Sequence, residues 1–168
     1  MPRVARVKSE DGSGWYHLVA RTAGFEGEYP LQGKLLRRKM LDIIARYGEV
    51  YCCEIAGFCI MGNHYHLVVY FHEPREMTRE ELCERASLLY DDKTLERWRD
   101  DKWERFAERI FDVSELMRNV QAAFARWFNA RAGRRGRFWA ERFKSTLLED
   151  AAAVLDCLLY VELNPLRA

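Results

Sequence analysis

The sequence predicts an α+β fold, an antiparallel sheet with helices packed on it. Three observations lead there: four or five short runs rich in branched and aromatic residues, helix-periodic segments between them, and too few long crossovers to wind a parallel sheet. Strand order is not legible at this level.

The elements follow in order. GWYHLVA, residues 14–20, reads as a first strand, closed by the glycine-containing loop AGFEGEYP. From Lys34 to Tyr47 the apolar positions Leu36, Met40, Ile43, Ile44 and Tyr47 recur at helical spacing, and Gly48 stands where a helix often stops. Two strand-like runs come next, VYCCEIAGF and HYHLVVYF, joined by the short IMGN connection. Residues 72–112 are dense in charge, with Leu88, Leu89, Leu95, Trp98, Trp103 and Phe106 spaced irregularly, and read as short amphipathic helices laid on the main body. Ser114 is the expected N-cap of a longer helix carrying Met117, Val120, Phe124 and Phe128 on one stripe and ending near Gly133. A GRRG turn then leads into RFWAERFKSTLL, read as a strand. Asp150 is placed to cap a last helix, AAAVLDCLLYVEL, which Asn164 and Pro165 bring to an end.

A chain of 168 residues suits one compact domain, so one site is sought. With 49% hydrophobic and 32% charged residues the composition is that of a folded globular protein, which excludes disordered and fibrous classes. The net charge of +1 conceals a skew: Glu73 to Asp112 is acid-rich, whereas Arg126 to Lys144 is strongly basic. The five cysteines are odd in number and come with no CxxC pair, signal peptide or long apolar span. They read as reduced thiols in a cytoplasmic protein without a membrane segment, and their spacing argues against a structural zinc site.

The chemistry concentrates in GNHYHLVVY, residues 62–70. On a strand His64, His66, Val68 and Tyr70 share one face, while Tyr65, Leu67, Val69 and Phe71 form a core face. The two imidazoles are then near enough to reach one divalent ion, the competing reading being a hydrogen-bonded pair at a strand end. Tyr160 and Asn164 lie about one turn apart on a face of the last helix, with Asp156 a turn earlier. If that helix packs beside the histidine strand, Asn164 supplies an oxygen ligand and Tyr160 a hydroxyl that coordination can activate as a nucleophile. Tyr160 taken alone is an amphipathic residue at a helix edge.

NHYHLVV together with YVELNPLRA resembles the HUH single-strand DNA endonucleases, specifically the single-tyrosine transposase family and its REP-associated tyrosine transposase branch. The resemblance runs through most of the chain: an opening PR..R, WYHLVAR, AGFCIMGNHYHLVV, FARWFNARAGRRGRFWAERFKSTLLED and LLYVELNPLRA. It implies one HUH-like domain over 1–168 with a ferredoxin-like sheet and the histidine pair on a central strand; the charged helical insertion at about 73–112 is longer than in the shortest relatives. It also implies that His64, His66 and Asn164 hold Mg²⁺ or Mn²⁺. Tyr160 would then attack single-stranded DNA, leaving a 5′-phosphotyrosine link and a free 3′-OH. Related insertion-sequence transposases carry Gln where this chain has Asn164.

Arg126, Arg131, Arg134, Arg135, Arg137 and Lys144, with Arg142, are interleaved with aromatics and offset by a single acid, Glu141. Cations for phosphates and rings for bases suit a single strand, expected here in hairpin form. Phe124 and Phe128 are assigned to the core, Trp139 to either role, Cys157 to helix packing, and His17 to packing or hydrogen bonding rather than ligation. Two alternatives stand beside the transposase reading: a catalytically silent nucleic-acid-binding module on the same fold, and a metal hydrolase using water. The last helix can dock on its own sheet or a partner's, which leaves a homodimer open.

Overall fold

Alternation of inward and outward side chains sets the architecture. The computed structural model describes residue 9, residues 11–24 and residues 30–166. Its four strands, β1 (Gly14–Arg21), β2 (Cys53–Ile60), β3 (His64–Phe71) and β4 (Lys144–Leu148), form one antiparallel sheet in the order β2-β3-β1-β4. β1 buries Tyr16, Leu18 and Ala20, and β3 buries Tyr65, Leu67, Val69 and Phe71, all toward the same side. In register, Leu18 stands opposite Leu67, His17 opposite Val68 and Arg21 opposite His64.

That side is covered by α1 (Lys34–Val50) and, after an insertion, α5 (Val113–Arg131). Met40, Ile43 and Ile44 of α1 meet Leu116, Met117, Val120 and Phe124 of α5 over the sheet in one core. Strand–helix–strand, strand–helix–strand in this order is the ferredoxin-like arrangement. The insertion consists of α2 (Arg79–Ser87), α3 (Asp92–Leu95) and α4 (Asp100–Arg109). Thr78 and Glu81 close a capping box on α2, satisfying two backbone donors that the helix start leaves free. Trp98, Trp103 and Phe106 pack edge to face and join the main core.

The opposite face of the sheet carries Trp15, His17, Val19 and Arg21 of β1 beside His64, His66, Val68 and Tyr70 of β3. Helix α6 (Ala151–Leu163) lies against it, capped by the Asp150 carboxylate, which accepts from the Ala153 N–H at 2.8 Å. Fully buried Val161 seats the helix on Cys59, Met61 and Val68. Gly57 permits a close approach there, since a Cβ would stand 2.9 Å from Leu158 Cδ2. Val161 therefore fixes the height of its neighbour Tyr160 above the sheet.

Several expectations need correction. Gly48 does not end α1, which continues to Val50. A Cβ at Gly48 would come within 2.8 Å of Ile55 Cδ1, so the glycine makes room for β2 rather than capping. The second strand begins at Cys53, not Val50, and runs to Ile60. Asp112, not Ser114, caps α5: its carboxylate accepts from the Ser114 N–H at 2.7 Å. Of the run Arg137–Leu148 only Lys144–Leu148 is strand, because Phe138 and Phe143 turn into the core and break the alternation. The opening Pro2-Arg3 segment, residues 25–29 of the first loop, and Arg167-Ala168 lie outside the described residues. No helix among the described residues is long and apolar enough to cross a membrane.

Candidate active site

Three parts of the chain converge on the α6 face of the sheet. His64 and His66 start β3, and their ring centroids lie 5.0 Å apart. Tyr160 comes down from α6 edge-on, 5.7 Å from the His66 ring and 6.1 Å from that of His17. A cleft of about 270 Å³ opens between them, lined by Val19, Arg21, His64, His66, Glu141, Arg142, Lys144 and Tyr160.

The polar contacts are asymmetric. His64 Nδ1 lies 2.8 Å from Asn63 Oδ1, and His66 Nδ1 lies 2.9 Å from His17 Nε2. The other ring nitrogen of His66, Nε2, is buried and has no partner among the described residues, although the residue is only 4% exposed. Tyr160 is 44% exposed, so its hydroxyl-bearing ring is open to an incoming ligand.

Charge in the cleft follows from burial. Burial, with smaller contributions from His17 and His64, pushes the His66 pKa down to about 4. Burial first and the Arg21 charge second lower that of His64, and burial lowers that of His17. Neutral imidazoles keep their lone pairs for a cation, and the positive charge of the cleft comes from Arg21, Arg142 and Lys144. Glu141 answers part of it from 4.0 Å off Lys144 Nζ.

This depression ties stability to pH. The folded state favours neutral His66, so its contribution is complete above the ordinary value of 6.5 and is lost as pH falls from there through about 4. In metal-free buffer the thermal midpoint is expected to drop across that window, and His66→Gln is expected to flatten part of the drop. Superimposable pH profiles for the two proteins would refute the assignment.

The donor set suits a divalent ion in part. Two neutral imidazoles on one strand face, one with an orphaned Nε2, are the right chemistry for Mg²⁺-replacing ions such as Mn²⁺. No group of three His, Cys, Asp or Glu side chains among the described residues is arranged to hold a metal ion. Asn164 begins the 3₁₀ turn Asn164–Leu166 directly after α6, half-buried, and does not line the cleft. Asp156 is exposed.

The predicted basic residues divide. Lys144 lines the cleft. Arg134, Arg135 and Arg137 occupy an exposed turn made by Gly133 and Gly136, both at positive φ, and Asn129 Nδ2 clasps the turn by donating to the Gly136 carbonyl at 2.9 Å. The chain then returns along the end of β1, where Ala23 N–H donates to Phe138 O and Ala140 N–H to Arg21 O. The turn thus stands at the end of the sheet where β3 begins. Arg131 ends α5, and Arg126 lies near Tyr47 on the far layer. Trp139 is core-packed, its indole N–H donating to Gln121 O at 2.8 Å.

Sequence reasoning missed Arg21 and gave His17 no tie to the site. The face they share was readable, because positions 15, 17, 19 and 21 alternate with apolar ones on the first strand, but the strand that lies beside them was not.

No protein-family model matches the chain, and no curated protein matches it. Among solved structures the chain is similar to a REP-associated tyrosine transposase bound to a REP hairpin. Identity is 11%, 99% of this chain and 74% of that chain are covered, and the TM-score is 0.56. At that identity the likeness establishes a shared fold. A putative transposase from Deinococcus radiodurans R1 is 13% identical over 96% of each chain, with a TM-score of 0.40.

Proposed function

We propose that the protein is a metal-dependent single-stranded DNA endonuclease and strand transferase of the tyrosine transposase type, acting at hairpin-bearing sequences. The observation that carries this reading is the convergence of Tyr160 with His64 and the orphaned Nε2 of His66 in one cation-lined cleft, from segments far apart in the chain. The shared fold with a transposase bound to a DNA hairpin supports it.

In this reading the Tyr160 oxygen attacks the scissile phosphorus and loses its phenolic proton. The bond from phosphorus to the 3′ oxygen breaks, that oxygen takes up a proton as the free 3′-OH, and the 5′ phosphate stays on Tyr160. A later 3′-OH attacks the phosphotyrosine and releases the tyrosine, so each step exchanges one phosphate ester for another. His64 and His66 would hold Mg²⁺ or Mn²⁺ through Nε2, with Asn164 as the candidate oxygen donor, and the ion would polarise the phosphate. Arg21, Arg142 and Lys144 offset phosphate charge in the cleft. The 134–137 turn binds the strand leading into it.

The test is incubation with a set of labelled single-stranded hairpins, with Mn²⁺ or with EDTA, resolved on a denaturing gel. A metal-dependent covalent protein–DNA band is expected, and its absence with every hairpin would reject the proposal. A second expectation concerns the turn: Arg134→Ala with Arg135→Ala should reduce the dependence of log affinity on log salt by about 0.7 for each phosphate that the turn no longer neutralises. Anisotropy titrations across salt concentrations measure it, and an unchanged slope would remove the turn from the interface.

The position of Asn164 outside the cleft lining favours one other reading, a catalytically silent nucleic-acid-binding module on the same fold. It predicts hairpin binding with no adduct under any metal condition.

A further inference from the structure

We infer that His17 is a positioning residue: it holds His66 in the tautomer with the proton on Nδ1, and so keeps the Nε2 lone pair turned to the cleft. The inference rests on the reading of that cleft as a metal site, and it assigns to the first strand a part in the site that ligand spacing does not reveal.

The geometry leaves two arrangements. His66 Nδ1 and His17 Nε2 are 2.9 Å apart and the ring planes differ by 13°, so one nitrogen donates and the other accepts, with a single proton between them. If His17 donates it, His66 must carry its own proton on Nε2. That nitrogen is buried with no acceptor among the described residues, and an orphaned buried N–H is the kind of group that folded proteins avoid. If His66 donates from Nδ1, Nε2 keeps a lone pair that a cation in the cleft would satisfy. His17 then carries its proton on Nδ1, and being half-buried it can offer that proton to water.

His64 is arranged in parallel. Its Nδ1 faces Asn63 Oδ1 at 2.8 Å, an oxygen that can only accept, which places the His64 proton on Nδ1 as well. Two imidazoles 5.0 Å apart are thus both held with Nε2 unprotonated, by neighbours that differ in chemistry and come from different positions. A ligand histidine whose second ring nitrogen donates to a neighbour is fixed in tautomer and orientation, and losing the neighbour weakens metal binding.

The experiment uses the full chain, labelled with ¹⁵N-histidine and free of metal. Long-range ¹H–¹⁵N spectra at pH 7.5 read the His66 tautomer, and calorimetry reads Mn²⁺ affinity. The wild type is expected to show His66 protonated on Nδ1. His17→Ala is expected to lose that preference and to bind Mn²⁺ about 10- to 100-fold more weakly, whereas His17→Gln, whose Oε1 can accept in place of Nε2, should stay within about threefold of wild type. A wild-type His66 protonated on Nε2, or a folded His17→Ala protein with undiminished Mn²⁺ affinity, would overturn the inference. The wild-type spectrum needs no substitution, so it decides even if His17→Ala fails to fold. An Nδ1-protonated His66 that depends on His17 in a protein that binds no Mn²⁺ would uphold the positioning role and reject the metal-dependent function.

Discussion

Tyr160→Phe is expected to abolish the covalent protein–DNA band while leaving hairpin affinity and thermal stability near wild type. The substitution removes one oxygen and little else. The ring is 44% exposed and meets His66 and His17 edge-on, an arrangement that phenylalanine repeats, and Val161 with Cys157 and Leu158, not the tyrosine, packs α6 on the sheet. If the tyrosine oxygen is the nucleophile, cleavage should fall by about three orders of magnitude or more, because nothing else in the cleft forms the ester that the reaction passes through. The same variant separates the competing mechanisms. Nicking that persists in Tyr160→Phe without an adduct would mean that water attacks, the metal-hydrolase case. A wild type that binds hairpins but never nicks them, with a variant indistinguishable from it, would mean a binding module.

That this experiment could be framed from sequence reflects what was legible there. The bounds of α6 were readable because Asp150 is a local cap and Asn164-Pro165 a local break, both acting within a turn of the helix end. The face shared by His64 and His66 was readable because a period of two on a strand with an apolar opposite face admits no other register. The last strand is shorter than its composition suggests because Phe138, Trp139 and Phe143 imitate strand residues while serving as plugs packed around Phe124 and the main core. The His17–His66 pairing was illegible for a different reason. It depends on β1 lying next to β3, and strand order is decided by packing between segments remote in sequence. Arg21 was missed on the same account, since only the pairing of Arg21 with His64 brings it to the cleft.

Among the three proposed ligands, His66→Ala is expected to cost the most. His66 is 4% exposed, touches His17, His64 and Tyr160, and bears the orphaned Nε2, whereas His64 stands at the strand start with greater exposure. If the proposed ion is held by the two histidines, removing His66 leaves one imidazole for it, so Mn²⁺ binding should fall by at least about 100-fold and adduct formation by a comparable or larger factor; His64→Ala should show the same effects in milder form. Hairpin affinity in EDTA should hold, because the exposed Arg134, Arg135 and Arg137 turn lies outside the cleft lining. Stability is the control that keeps the result interpretable. Since the variant also empties a buried position, its melting curve must show a folded protein at the assay temperature, and His66→Gln, which fills the space with an amide, must fail to restore the metal response. An adduct formed equally well by His66→Ala, or one formed by wild type in EDTA, would disconnect the histidines from the chemistry and leave them as a hydrogen-bonded pair at the end of a strand.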